Sequence, residues 1–350
     1  QVFFVPTYQC NFSCNYCYQS GYDNKARLSD TAMTDAFFRF LEYTLAGRNR
    51  YITLFGGEPL LTGKSYIKQL AYFMAQASRH QTDLSIVTNG YHLDAYLPML
   101  SDARIREVQL TLDGPEKIHN QRRTLKGNKP TFRKIADNLE KCLALGITVN
   151  LRVVLDRENL PFLPELARFA IEKRWTESNH FKTQLGRNYE LHYCQKGSSR
   201  LFSRIGLYEA LYDLIREYPE VLTFHEPAYS LSRFLSKNNS LPDPLFDACP
   251  GTKSEWALDY TGKVYSCTAT VGKSTEALGE FFPHIKLEKA LVSSWQNRDI
   301  LSIPECRECN LSLACGGGCG SLARNQNGSL LSPDCRPVSE LLSMGMDIYF

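Results

Sequence analysis

The sequence predicts an α/β fold: a barrel-type run of parallel strand–helix units, then a helical bridge, then a small cysteine-rich unit. Three observations carry this expectation. Short apolar β-type runs alternate with segments of helical periodicity through about the first 175 residues. Polar and glycine-rich residues recur where those runs end, the edge at which a (β/α) barrel assembles its site. Seven of the twelve cysteines fall between residues 249 and 335, in short-spaced patterns.

The elements follow in order. The run Val2-Phe3-Phe4-Val5 reads as a first strand and leads into Cys10-Asn11-Phe12-Ser13-Cys14-Asn15-Tyr16-Cys17-Tyr18. Ser29 is placed to cap a helix with Met33, Phe37, Phe40, Leu41 and Leu45 on one face and Gly47 near its end. A strand over 51–55 stops at Gly56-Gly57-Glu58-Pro59. After a helix over 64–80, the strand Leu84-Ser85-Ile86-Val87 ends in Thr88-Asn89-Gly90. A strand over 108–112, carrying Thr111, ends in Asp113-Gly114-Pro115. The next helix aligns Phe132, Ile135, Leu139, Cys142 and Leu143 and stops at Gly146. A strand over 147–155 and a helix over 162–173 follow, and a sixth strand is expected within Glu190 to Tyr193. From 201 the pattern is helical, and the polar, proline-bearing stretch 238–244 marks a boundary. Residues 256–265 read as a hairpin turning at Thr261-Gly262. The expected organisation is therefore 1–200 barrel, 201–248 bridge and 249–350 cysteine-rich domain.

Composition narrows the class. A chain of 350 residues with 43% hydrophobic and 12% aromatic residues has ample material for a core. A net charge of +3 is too near neutral to argue for nucleic acid, and no apolar run is long enough for a transmembrane helix. The basic stretch Arg122-Arg123, Lys126, Lys129, Arg133 and Lys134 reads first as a solvated face. Clustered Cys-x-x-Cys spacings in a chain of this size read as metal sites, so a reduced, cytoplasmic protein is expected. Cys142, on an apolar helix face, and the isolated Cys194 are read as non-ligands.

Cys10-x3-Cys14-x2-Cys17 places three thiolates on one loop. A structural zinc site takes four protein ligands, and a four-iron cubane is normally held by four cysteines. Three therefore suggest a cubane with one iron open. With Tyr16 before the third cysteine, the pattern resembles that of the radical S-adenosylmethionine (radical SAM) enzymes. The resemblance implies a partial (β/α)6 TIM-like barrel. It also implies that SAM chelates the open iron and that its reductive cleavage gives a 5′-deoxyadenosyl radical. On the same resemblance, Gly56, Gly57 and Glu58 would hold the SAM amino group, with Glu58 the expected side chain. Asn89, Thr111 and Asp113 would meet ribose, adenine or carboxylate. Arg123 falls in a His-Asn-x-x-Arg pattern similar to the family's His-Asp-x-x-Arg, and Arg152 would point into the barrel to bind the SAM carboxylate.

The C-terminal series is Cys249, Cys267, Cys306, Cys309, Cys315, Cys319 and Cys335, with Gly316-Gly317-Gly318 permitting tight wrapping. It resembles the SPASM domain of radical SAM enzymes, a small unit of hairpin and helices holding two auxiliary clusters. By that resemblance Cys249, Cys267 and Cys319 ligate one cluster and Cys306, Cys309, Cys315 and Cys335 the other, giving three 4Fe–4S clusters in all. Seven thiolates leave one of eight positions open or held by another ligand. The function implied is a maturase that abstracts hydrogen from a ribosomally made peptide, forming a carbon–carbon or thioether crosslink or another oxidised residue. The expected partners are a precursor peptide or protein, and a flavodoxin or ferredoxin as electron donor. The chain opens at the first strand with Gln1, so any leader-peptide-binding domain is expected to be separate, trimmed away or unnecessary. An anaerobic sulfatase maturase is the alternative. Against it, Pro250 to Ser266 holds no extra cysteine, and Thr268 rather than Asp follows Cys267. An iron–sulfur scaffold without SAM chemistry and an RNA-modifying enzyme are the remaining readings.

Overall fold

The computed structural model describes residues 1–22, 27–46, 50–188 and 199–350. In chain order its strands are β1 (Val2–Val5), β2 (Phe12–Cys14), β3 (Ile52–Leu54), β4 (Leu84–Val87), β5 (Ile105–Thr111), β6 (Arg123–Leu125), β7 (Val149–Leu155), β8 (Phe181–Arg187), β9 (Trp256–Asp259), β10 (Lys263–Tyr265), β11 (Gly279–Glu280) and β12 (Lys286–Leu287). Its helices are α1 (Thr31–Thr44), α2 (Lys64–Arg79), α3 (Leu97–Ser101), α4 (Glu116–Arg122), α5 (Phe132–Ala144), α6 (Leu163–Glu172), α7 (Arg204–Glu217), α8 (Val221–Phe224), α9 (Ser232–Asn238), α10 (Lys289–Gln296), α11 (Pro304–Arg307), α12 (Ser312–Cys315), α13 (Gly320–Asn327) and α14 (Val338–Tyr349).

Six strands pair in parallel in the order β1-β3-β4-β5-β7-β8, with helices returning the chain between them, as a partial (β/α)6 barrel requires. Alternation within β7 shows why the sheet buries one side more deeply. Val149, Leu151, Val153 and Leu155 are fully buried, whereas Asn150, Arg152 and Val154 on the opposite face are half-buried. On β1, Phe4 stacks on Phe73 of α2 at 5.2 Å and meets Phe37 of α1 at 4.6 Å. These aromatic contacts fix the helices over the strand that launches the cysteine loop.

Several expectations need correction. The sixth strand is Phe181–Arg187, and the expected stretch Glu190 to Tyr193 lies outside the described residues, as does Cys194. Asp30, not Ser29, caps α1 by accepting from the Met33 N–H at 2.9 Å. The basic stretch is not a solvated face throughout. Arg122 and Arg123 are buried, and only its later members reach solvent or surface pairs. Cys142 is buried in the core, as its place on the apolar face of α5 suggested.

The cysteine-rich segment also differs from a separate appended lobe. β9 pairs in parallel with β1, and β10, β11 and β12 continue antiparallel, so one ten-stranded mixed sheet runs through both halves of the chain. The hairpin turns at Gly262, whose φ of +86° explains the Thr-Gly sequence. The last helix, α14, returns to pack on α7 and α9, with Gly345 so close to Ser232 that a Cβ would overlap it. Among the described residues no helix is long and apolar enough to cross a membrane.

Candidate active site

Cys10, Cys14 and Cys17 sit beyond the C-terminal end of β1. Here the chain forms a second, two-stranded sheet that periodicity had not announced, with Cys14 of β2 opposite Arg123 of β6. The Phe12 N–H points at Cys10 Sγ at 3.4 Å, and the Cys17 N–H donates to the Cys14 carbonyl at 3.3 Å. Asn89 Nδ2 donates to Asn11 Oδ1 at 2.7 Å and lies 3.9 Å from Cys10 Sγ. Burial, then the Glu58 carboxylate, push the Cys10 thiol up to about 12. Burial also raises Cys14, against the pull of Arg123. A bound iron cluster, held by these cysteines, would reverse this by favouring the thiolate.

The Gly56-Gly57-Glu58 turn packs directly against the cysteine loop. A Cβ on Gly57 would stand 2.2 Å from the Gln9 carbonyl oxygen, and one on Gly56 2.6 Å from that of Thr7. The glycines thus admit the chain's own cysteine loop. Gly57 and Glu58 N–H groups donate to the Thr7 and Gln9 carbonyls at 3.1 and 2.7 Å. The Glu58 side chain is 1% exposed, and its oxygens accept from Leu60 N–H (2.8 Å), Thr88 Oγ1 (2.6 Å) and Asn89 N–H (2.6 Å). Glu58 therefore ties the end of β4 to the turn after β3 and is a positioning residue. Glu58→Gln puts an amide N–H against the donors it now receives, so it should cost about 1–3 kcal/mol. Thermal unfolding checks that loss.

Tyr16, Asp113 and Arg123 come together. Arg123 Nη1 donates to the Tyr16 hydroxyl at 2.7 Å, and that hydroxyl donates to Asp113 Oδ2 at 2.5 Å. Asp113 Oδ1 accepts from the Val154 N–H at 2.9 Å, and Arg122 forks onto Asp156 at 2.8 and 3.0 Å. His119 holds the motif's backbone. Its Nδ1 accepts from Asp113 N–H at 3.2 Å, so Nε2 carries the proton and donates to Thr131 Oγ1 at 3.0 Å, which in turn donates to the Arg123 carbonyl at 2.6 Å. Burial, then Arg123 and Arg122, hold His119 well below the usual imidazole range. The unfolded chain binds that proton first, so stability should fall as pH drops below about 6.5. The urea midpoint of wild type should decline there, and a His119→Asn variant should lose that part of the slope.

Thr111 and Arg152 are register partners on β5 and β7, so their side chains share the inner face. Arg152 lies over Gly186 of β8, where a Cβ would stand 3.0 Å from its Nη2. Unlike Arg122 and Arg123, Arg152 has no side-chain hydrogen bond among the described residues. The buried Nε of Arg123 and Nδ2 of Asn11 also lack partners. Three thiols ringed by unpartnered N–H donors suit an anionic thiolate-ligated cluster and a carboxylate-bearing cofactor.

The seven later cysteines fall into two sets. Cys267 lies within electrostatic reach of Cys319, and Cys319 of Cys249. Cys306 and Cys335 are each within reach of Cys309 and Cys315. Sequence reasoning missed the residue that shapes this region, Arg298. It is fully buried and donates to the carbonyls of Leu330 (2.7 Å), Gly318 (3.1 Å), Gly317 (2.7 Å) and Ser332 (3.1 Å). Gly316, Gly317 and Gly318 all have φ between +66° and +72°, which turns the Gly317 and Gly318 carbonyls onto that guanidinium while the Gly316 carbonyl accepts from the Ala248 N–H at 2.8 Å. The two cysteine regions also touch. Tyr8 donates to the buried Asp259 of β9 at 2.8 Å, and Tyr22 to the Val271 carbonyl at 3.0 Å. No local motif marks Arg298 or Tyr8, because their partners are backbone carbonyls or distant in sequence.

Residues 4–170 match the radical SAM superfamily. The chain carries a radical SAM domain. A radical SAM domain implies SAM and a 4Fe–4S cluster as cofactors and supports an enzyme. The chain is 29% identical over 170 residues to the GTP 3′,8-cyclase of Nautilia profundicola, covering 48% of this chain and 51% of that one. It is 28% identical over 172 residues to the GTP 3′,8-cyclase of Nostoc sp. (strain PCC 7120), again covering 48% and 51%. The chain thus spans about half the length of these curated relatives. Solved structures resemble it over more of its length. Native anSMEcpe with bound AdoMet superposes with a TM-score of 0.73 at 18% identity, covering 99% of this chain and 96% of that one. SuiB of Streptococcus suis bound to S-adenosylmethionine gives 0.63 at 16% identity, covering 96% and 76%. These likenesses run through the C-terminal region as well, so the fold of both halves is shared with these solved structures.

Proposed function

We propose that this radical SAM protein is a peptide maturase, abstracting hydrogen from a ribosomally made peptide to leave a crosslink or another oxidised residue. The observation that carries this reading is the sorting of seven C-terminal cysteines into sets of three and four, in a chain whose fold matches anSMEcpe along nearly its whole length. With the cluster and SAM bound, the site supplies a carbon-centred radical, and placement of the substrate hydrogen decides the product. The chain's own residues prepare that site. Cys10, Cys14 and Cys17 would hold the iron. Glu58, Asn89, Asp113, Tyr16 and His119 fix the strand-end loops, and Arg152 offers a free guanidinium fork for a carboxylate. Cys249, Cys267 and Cys319, with Cys306, Cys309, Cys315 and Cys335, would hold two auxiliary clusters. A flavodoxin or ferredoxin would deliver the reducing electron.

The GTP 3′,8-cyclase relatives favour a second reading, a nucleotide substrate. Anaerobic incubation with SAM, reductant and either GTP or peptides encoded beside its gene separates the two. Loss of hydrogens from a peptide, read by mass spectrometry and dependent on SAM, supports the maturase. Turnover of GTP with every peptide unchanged overturns it. Conversion of Cys or Ser to formylglycine in a sulfatase peptide would move the assignment to the sulfatase-maturase alternative.

A further inference from the structure

We propose that the Glu255 carboxylate is the fourth protein ligand of the cluster held by Cys249, Cys267 and Cys319. This rests on the reading of those cysteines as cluster ligands. Seven thiolates leave one of eight positions to another donor, and the fold delivers one to that place.

The turn after Cys249 is the device. N–H groups of Lys253, Ser254 and Glu255 all donate to the Pro250 carbonyl, at 3.1, 3.0 and 2.9 Å. Thr252, in the left-handed region at φ +61°, donates to the Glu255 carbonyl at 2.8 Å and to that of Ser266 at 3.3 Å. The turn thus folds Glu255 back beside Cys267. Its Oε1 accepts from the N–H and hydroxyl of Thr268, the next residue after Cys267, at 3.0 and 3.4 Å. The Thr268 bonds orient the carboxylate, and Oε2 has no hydrogen-bond partner among the described residues.

The neighbouring acids are differently placed. Asp247 pairs with Lys253 and caps the Cys249 N–H at 2.9 Å. Glu276 pairs with Arg324. Asp334 pairs with Arg204 at 2.7 Å and accepts from the Cys319 N–H at 3.0 Å. Glu255 has no cationic side chain paired with it among the described residues, and only the Gln1 ammonium lies within electrostatic reach. Of the other polar groups at Cys267, the Ser266 hydroxyl donates to its sulfur at 3.7 Å and the Thr270 hydroxyl donates to its carbonyl at 3.0 Å. A carboxylate releases less charge onto iron than a thiolate, so this cluster should have a higher potential than its all-cysteine form, as when histidine replaces cysteine.

The test uses a Cys10→Ala/Cys14→Ala/Cys17→Ala background, so that only C-terminal clusters remain, at about eight irons per chain. Carbon-13 cyanide probes for an open iron by electron–nuclear double resonance on the reduced protein. With Glu255 present, no cyanide coupling is expected. Glu255→Ala should show it. Glu255→Cys should exclude cyanide and lower that cluster's midpoint potential. Should Glu255→Ala lose the cluster, Glu255→Gln, which keeps the acceptor for Thr268, should show the coupling instead. Cyanide coupling with Glu255 intact, or an unchanged spectrum without coupling in both truncating variants, overturns the proposal. About four irons with Glu255 intact would instead remove the two-cluster reading, and the proposal with it.

Discussion

Cys14→Ala is expected to abolish SAM cleavage while leaving the C-terminal half of the protein loaded. Cys14 ends β2, opposite Arg123, and removing it leaves Cys10 and Cys17 to hold a cubane that three thiolates would otherwise grip. Iron should fall by about four atoms per chain, with about eight retained. Deoxyadenosine release should drop at least about a hundredfold, because the reacting cofactor loses its anchor. The fold should survive. Cys14 is only half-buried, and the sheet beneath it is held by ladders from β1 to β8. Circular dichroism, iron analysis and deoxyadenosine chromatography on one preparation check all three parts.

Arg298→Ala should do the reverse. Its guanidinium is the shared donor for carbonyls from two segments, Gly317-Gly318 and the loop carrying Leu330 and Ser332. Without it, the carbonyls of Gly318, Leu330 and Ser332 lose the guanidinium that satisfies them, and Gly317 keeps only the Asp334 N–H. A cost of about 3–5 kcal/mol is expected, by analogy with removing one member of a buried charged network. Arg298→Lys should rescue little, since a point charge cannot span the fork's directions. Iron should fall toward the about four atoms of the N-terminal cluster. SAM cleavage without substrate should persist. A variant that keeps all its iron would show that the glycine segment stands without its arginine.

Much of this was legible in the chain. Parallel strands flanked by amphipathic helices announce themselves by period, and β1, β3, β4, β5 and β7 fall where alternation and strand-end glycines placed them. β8 did not, because Phe181–Arg187 offers only Phe181 and Leu185 as apolar residues, neither fully buried, among Lys182, Gln184 and Arg187. β2 and β6 are three residues each, too short for any period to register. Arg122 and Arg123 looked like a solvated basic stretch because charge is local in sequence. Their partners Asp113, Asp156 and Tyr16 arrive from other strand ends. The cysteines were readable because metal ligation demands short spacing. Glu58 was readable as important, but only the fold shows that Thr88, Asn89 and Leu60 engage its carboxylate.

The central claim is that one chain joins a SAM-cleaving cluster to two auxiliary clusters. Anaerobic reconstitution, followed by Mössbauer quantitation of iron with and without SAM, tests it most directly. The account predicts about twelve irons per chain as three cubanes, one of which changes its spectrum when SAM is added, with deoxyadenosine formed on reduction. Bound zinc, or iron for one cubane that ignores SAM, would contradict it.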